Sequence, residues 1–555
     1  MTTFKRLLTL FLALVMVTSL LAACGSNAEA PAAEAPAAEA PAAEVPATEA
    51  PKSDEPIVLN MSMNSAWADL IPYNGNTGGN YSTLVLSLIY DRLYGYDADS
   101  NIVPRAAESW EIGEDKMSCT FHLNKNAKWH DGEPVTAEDF VFAAEMITDP
   151  TNPCNARSHY YIMTGTDTSG MADGTPLGVE AIDDYTLKYT FDEIISEDVT
   201  FRLYLQAYIP LPKHLLEDVD PADYLTCDLW DHPIGSGPLK FESTIPGSSL
   251  TLVANEDYHL GAPKFDKLNI TVMNGDSAVT ALLSGDIDIM YPAPSRENFQ
   301  AMEGSDILSY FFAKYPTNQR CLYINNKFGI DKRVRQAVDK AVDRESIAAM
   351  IGDAIPIETP VQVGSEYLDP ECSYTYDPEA ARAILAEAIA DGAYDPSEPL
   401  LIVTSGSAGE KLCALVEQNL EAVGFNIEVQ MMEAATMFAG FTDGSVTMGT
   451  VSKDSNFNPL YMRTALTNKR SSYIGWQTEL WDDIAAEFMN AANHEEELAV
   501  MKKFQETWID EVPSIFLCAS YSNYAYNSRL GDGESLGLEN AAYGCLPVWE
   551  WNVKG

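Results

Sequence analysis

Leu400-Leu401-Ile402-Val403-Thr404, then Glu410 to Val423, then Gly424-Phe425-Asn426-Ile427-Glu428-Val429 is the stretch that decides the fold class. Its opening run is apolar and β-branched without a polar break, the pattern of a strand covered on both faces. Over Glu410 to Val423 the apolar residues Leu412, Leu415, Val416 and Leu420 recur at helical spacing. Gly424 ends that helix, since a residue without Cβ enters the left-handed region at no steric cost. Phe425 to Val429 then alternates as a second strand. A strand, a helix and a strand in this order predict a βαβ unit with parallel strands and a right-handed crossover.

Working outward, Asp377-Pro378 begins another helix that Gly392 closes, and Asp331 begins a third. Leu480 to Val512 carries one helical periodicity up to Pro513, and Ile515-Phe516-Leu517 returns as a strand. Earlier in the chain Met117 to Leu123 and Thr186 to Phe191 alternate over short spans between turn residues, which predicts antiparallel sheet. The outline is α/β, with a strand-rich first half and a βαβ-type second half.

The chain has 555 residues and a formal charge of −48, with 34 Lys and Arg against 82 Asp and Glu. Such a surface repels nucleic acid and anionic lipid, and neither is expected as a partner. At the N-terminus Lys5 and Arg6 precede a short apolar segment that ends in Leu21-Ala22-Ala23-Cys24. This is the form of an export signal, too short for a spanning helix. Its last residues resemble the lipobox, which implies acylation of Cys24 and a membrane tether. Prolines at 31, 36, 41, 46 and 51 alternate with glutamates at 29, 34, 39, 44 and 49. Proline at that frequency forbids helix, so a semi-extended spacer is expected. Beyond it the cysteines are 119, 154, 227, 321, 372, 413, 518 and 545; their number permits disulfides, while Cys119 and Cys413 read as buried thiols.

No Gly-x-Ser-x-Gly, His-Glu-x-x-His or phosphate-loop motif occurs, and the histidines at 122, 130, 159, 214, 232, 259 and 494 are scattered. Neither catalysis nor a metal or other cofactor is expected.

A resemblance joins these pieces. Ala107-Glu108-Ser109-Trp110, Thr120-Phe121-His122-Leu123 and Lys128-Trp129-His130-Asp131-Gly132-Glu133-Pro134-Val135-Thr136-Ala137-Glu138-Asp139-Phe140 resemble the signature region of family-5 solute-binding proteins of peptide ABC importers. Further blocks follow in family order: Ala181 to Leu187, Pro233-Ile234-Gly235-Ser236-Gly237-Pro238-Leu239, Leu283 to Asp288, and Asp331 to Val338 with Ala341 to Glu345. Physically these blocks read as scaffold. Asp131-Gly132 is a turn pair, Thr136 and Asp139 stand in capping-box register, and Val334, Ala337, Val338 and Ala341 form one helical stripe.

The resemblance implies a two-lobed, periplasmic-binding-protein-like (type II) fold with an extra domain inserted in the first lobe. The expected segments are signal peptide 1–23, acylated cysteine and linker 24–55, lobe I 56–95, inserted domain 96–209, lobe I again 210–312, lobe II 313–522 and lobe I 523–555. It further implies a monomer, lipid-anchored on the extracytoplasmic face of the bacterial membrane. There it captures oligopeptides by hinge closure and hands them to ABC permease subunits. The peptide main chain is then held by strand-like hydrogen bonds. The alternatives are an oligosaccharide, a nickel chelate, or a receptor without transport.

For the ligand site, the loop after the opening strand offers Asn64, Trp67, Tyr73, Gly79, Asn80 and Tyr81. In the second lobe the family's segment reads Gly-Trp followed by an aspartate that grips the peptide amine. Here it reads Gly449-Thr450-Val451-Ser452-Lys453-Asp454-Ser455-Asn456, with Thr450 in place of the tryptophan. Asp454 is the expected amine anchor, Asn456 its neighbour, and Lys453 either meets a carboxylate or points to solvent.

Overall fold

The computed structural model describes residues 55–555 except 75–78, 98–100, 155, 168, 196, 202–204, 327–328, 374, 455–478, 492, 532–535, 539–545 and 555. The expectations for Cys24, the proline-glutamate spacer, Cys545 and Asn456 lie outside the described residues.

Among the described residues the strands form sheets of seven, six, four and two. In the seven-stranded sheet Val58–Met63 lies parallel to Lys267–Val272 on one side and Ile289–Tyr291 on the other. Its sequence alternates, so Leu59, Met61 and Met63 all point inward and are at most 1% exposed. The register stacks them in rows: Met61 stands beside Ile270 and Ile289, and Leu250 beyond Ile270.

After Leu308–Phe311 the chain crosses to a six-stranded sheet and returns through 521–523 to Tyr524–Asn527. These last two strands pair antiparallel, which lays the two crossing segments side by side. Ala313 N–H donates to Asn523 Oδ1 across them at 3.1 Å. Nearby, Arg296 of the first lobe pairs with Asp353 of the second at 2.8 Å. Both side chains are more than 40% exposed, and a pair of that kind contributes about 1 kcal/mol or less. It does not lock the lobes.

The six-stranded sheet contains the deciding βαβ unit. Leu400–Thr404 and Ile427–Met431 pair in parallel with Leu400 opposite Ile427. The helix between them runs Gly406–Val423, four residues longer at its start than the pattern predicts. It ends where Gly424 takes φ 109° and donates back to Leu420 and Glu421. Leu412, Val416 and Leu420 are buried, and each such side chain contributes about 2 kcal/mol. Leu322, Ile402 and Leu517 join that helix in one apolar cluster, while Tyr323, Val403, Phe504, Trp508 and Phe516 form a second on the opposite face. Cover on both sides is why Leu400–Thr404 lacks a polar alternation.

The four-stranded sheet pairs Ser118–Leu123 with both Ala107–Ile112 and Thr186–Thr190, all antiparallel as the alternation predicts. Its inner residues Phe121, Leu187 and Tyr189 belong to the same apolar cluster as Leu59 and Leu84. The sheet and the first lobe therefore share one core.

One expectation needs correction. The single periodicity over Leu480–Val512 is two helices, Glu479–Met489 and His494–Glu511. Asn493 breaks it by accepting a cap bond from Glu496 N–H, and Val512 ends the second helix at φ 47°. No disulfide joins any two of the seven described cysteines. Cys119 and Cys413 are buried as expected, and burial drives the Cys119 thiol far above its ordinary range.

The signature blocks are scaffold. Asp139 accepts from the Thr136 N–H at 2.8 Å, the Lys213 N–H at 3.1 Å and Trp129 Nε1 at 3.3 Å. Arg333 pairs with Asp331 and Asp391. Arg335, 6% exposed, donates to the carbonyls of Ile330, Glu511 and Val512 at a helix end. Gly235 lies so close to the end of the helix Gly79–Ile89 that a Cβ there would stand 1.9 Å from the Ile89 carbonyl oxygen. No other residue fits.

Candidate ligand site between the lobes

Strand register identifies which end of each sheet meets the crossing. Tyr524–Asn527 runs away from it and Ile289 pairs with Tyr526 in antiparallel fashion, so the Tyr291 end points back toward the crossing. Met63 stands opposite Tyr291 in parallel register, which places Asn64 at that same end. In the second lobe Asn318 follows the crossing directly, and Asp454 is its register partner. Leu400–Thr404 runs parallel to Met448–Asp454, so Thr404 ends on that side too. Both sheets thus aim the carboxyl ends of their parallel strands at the crossing, where open α/β sheets bind ligands.

On the first-lobe side Asn64, Tyr81 and Tyr291 form one cluster. The Asn64 N–H donates to the Tyr291 carbonyl at 3.2 Å, and the Tyr81 hydroxyl donates to Asn64 Oδ1. The Tyr81 and Tyr291 rings meet edge to face at 5.7 Å, and a cis peptide joins Tyr291 to Pro292. Asn64 is exposed and Tyr81 half-buried, so both offer polar atoms at the strand ends.

Two expected residues go elsewhere. Tyr73, 4% exposed, donates its hydroxyl to the Ile209 carbonyl at 2.6 Å and accepts from the Ile209 N–H at 2.7 Å. It also meets the Tyr160 hydroxyl at 2.8 Å, and burial drives the phenol above its ordinary range. Trp67, 6% exposed, sits in the same apolar cluster. Their burial makes them core residues; the apolar neighbours Leu70 and Ile71 were the available signal. Gly79, Asn80 and Tyr81 begin the helix Gly79–Ile89 rather than extend a loop. The side chains of Gly79, Asn80, Lys453 and Asp454 lie outside the described residues.

Thr450, where the family's tryptophan was expected, is 6% exposed and bonds Thr404 through their hydroxyls at 2.5 Å. A Cβ on Gly409 would stand 2.1 Å from that Thr404 hydroxyl. The helix and sheet approach too closely here for an indole. Sequence reasoning missed Arg320, register partner of Ser452 and two positions from the Asn318–Asp454 pair. Arg320 is half-buried and donates to Asn318 Oδ1. Its charge opposes the burial that pushes the neighbouring Cys518 thiol up to about 11. No local motif marks it, because pairing with the Asp454 strand spans more than a hundred residues. Among the described residues no group of three or more His, Cys, Asp or Glu side chains is arranged to hold a metal ion.

A profile described as bacterial extracellular solute-binding proteins, family 5 (middle region) matches residues 101–472, more than half the chain. The chain belongs to this family. The glutathione-binding protein of Pectobacterium atrosepticum is 26% identical over 381 residues, covering 67% of this chain and 69% of that one. The periplasmic oligopeptide-binding protein of Salmonella typhimurium is 26% identical over 443 residues, covering 73% and 77%. The oligopeptide-binding protein AppA of Bacillus subtilis, solved with a nonapeptide, superposes with a TM-score of 0.74 at 20% identity, covering 90% of this chain and all of that one. The family-5 fold is two-lobed, and its members act outside the cytoplasm. No helix among the described residues is long and apolar enough to cross a membrane.

Proposed function

We propose that this protein is a lipid-anchored receptor that captures short peptides between its lobes and delivers them to the permease of an ABC importer. The observation that carries the reading is the convergence of both sheets on the crossing, with Asn64 and Tyr81 at one set of strand ends and Asp454 at the other. Asp454 binds the peptide amine, since a charge-assisted hydrogen bond in a closed cleft is strong and directional. Arg320 stands two register positions away and meets the carbonyls or carboxylate of the bound chain. In this reading lobe I comprises 56–95, 210–312 and 523–555, and lobe II comprises 313–522.

Binding acts by closing the lobes, and closure draws only on the difference in ligand affinity between open and closed states. The relatives named above are binding proteins, and no bond of the ligand is broken here. Peptide-binding relatives support peptide as the cargo class.

Native mass spectrometry of the purified protein identifies the co-purified ligand, and calorimetry then compares it with its N-acetylated form. We expect Asp454→Ala to weaken the free-amine peptide more than about tenfold, equivalent to about 1.4 kcal/mol. N-acetylation of the ligand reproduces that loss on the unaltered protein. Equal affinity in both proteins refutes the anchor.

A further inference from the structure

One face of the short first-lobe helix Arg296–Met302 spans the joint between the lobes. Phe299, 4% exposed, meets the Phe312 ring of the crossing segment edge to face at 5.6 Å. One turn earlier on the same face, Arg296 reaches the second lobe. There Gly352 and Asp353 follow the helix Arg344–Ile351 with φ of 73° and 43°, two left-handed residues in succession. Such a conformation is uncommon in a residue other than glycine and persists where its surroundings hold it. The Asp353 carbonyl accepts the Tyr521 N–H of the returning crossing segment at 2.8 Å, and its carboxylate pairs with Arg296 Nη1 at 2.8 Å.

The second lobe is shaped to seat this arginine. A Cβ at Gly352 would stand 2.4 Å from Arg296 Cδ, 2.7 Å from its Nη1 and 3.0 Å from its Nε. Stem and head therefore lie on bare backbone, in space that any other residue would fill. The paired side chains are 45% and 41% exposed, so their contact changes a population ratio by about fivefold at most, equivalent to about 1 kcal/mol. That is too little to lock the lobes and enough to tip a balance between two arrangements.

We propose that Arg296, seated on Gly352 and paired with Asp353, is a salt-sensitive latch for the lobe arrangement of this structure. The proposal rests on the hinge-closing reading above and deepens it. The latch sets the fraction of receptors in each arrangement, and the apparent affinity for a peptide scales with the fraction competent to bind it.

Lobe spacing tests this directly. Ser248 and Met431 are exposed and stand at the crossing-facing ends of the strands farthest from the crossing in their sheets, so rotation of the lobes changes the distance between them. Single-molecule energy transfer is measured between dyes attached at these two positions through an unnatural ketone side chain. The full-length protein is first stripped of ligand by refolding from urea. We expect Arg296→Gln and Asp353→Asn each to lower the population at the spacing of this structure by about two- to fivefold. The double variant should lower it no further, because both changes remove one contact. Asparagine tolerates a left-handed φ, so Asp353→Asn keeps the backbone turn. Raising NaCl from about 0.05 M to about 1 M should move the unaltered protein toward the variants and leave the variants in place. Lys503→Gln, which breaks the similarly exposed Lys503–Glu487 pair within the second lobe, should leave the spacing unchanged. Unaltered spacing in both single variants overturns the proposal, and so does an equal shift with Lys503→Gln. No peptide enters this measurement, so it can fail while the Asp454 test succeeds, and the reverse.

Discussion

His130 sits at the joint between the signature region and the Gly235–Gly237 loop, and its protonation should govern acid stability. Its Nδ1 accepts from the Gly235 N–H at 3.1 Å, and its Nε2 faces the Gly237 carbonyl at 3.0 Å as donor. That arrangement needs the neutral ring, because a proton on Nδ1 would meet the Gly235 N–H head on. Burial accordingly holds the imidazole down at about 4 against an ordinary 6.5. A displacement of about 2.5 pH units at about 1.36 kcal/mol each gives a ceiling of about 3 kcal/mol. His130 as a residue is half-buried, so about 2 kcal/mol is the working figure. The unfolded chain takes up the proton below pH 6.5, while the folded chain resists until about pH 4. The contribution is therefore complete above pH 6.5 and is lost as pH falls toward 4. Urea unfolding of the unaltered protein and His130→Gln at pH 7.5, 5.5 and 4.5 isolates this effect from the many carboxylates. We expect the stability difference between them to shrink by about 2 kcal/mol across that range. Parallel pH profiles would refute the reasoning.

Three further outcomes are expected. Cys24→Ser should move the protein from the membrane to the soluble fraction after cell fractionation; retention at the membrane counts against acylation at that residue. Asp288, 2% exposed, holds Arg529 through two bonds of 2.6 Å and accepts the Asn60 N–H at 2.8 Å. Asp288→Ala leaves that guanidinium without its carboxylate and should cost about 3 kcal/mol in urea unfolding; a loss below about 1 kcal/mol would show the C-terminal return to be held by packing alone. Gly235→Ala drives a methyl into the Ile89 carbonyl and should lower the melting temperature by at least about 10 °C, or abolish soluble expression.

The fold was legible wherever a local pattern has one physical solution. Leu400–Thr404, the helix ending at Gly424 and Ile427–Met431 form a parallel βαβ unit because the apolar spacing and one glycine leave no other packing. Thr136 and Asp139 formed the cap that their spacing suggests. The division of Glu479–Glu511 was missed because Asn493 acts through side-chain bonds to one residue, Glu496, which leave the apolar period almost intact. Tyr73 misled for a related reason. Its phenol looks like a ligand contact in sequence, and the partner that claims it, Ile209, lies 136 residues away.

The site itself was the least legible part, and Thr450 shows why. Family residues transfer by position only while the surrounding packing is unchanged. Here the Thr404–Thr450 bond and the close approach of Gly409 bring the helix against the sheet. An indole at that position needs space that this protein has closed. Thr450→Trp, which restores the family's residue, should therefore destabilise the second lobe without raising affinity for any peptide. Differential scanning calorimetry and peptide titration read the two effects separately. A stable variant with tighter binding would show that the threonine faces the cleft, and that the loss of tryptophan changed recognition rather than packing.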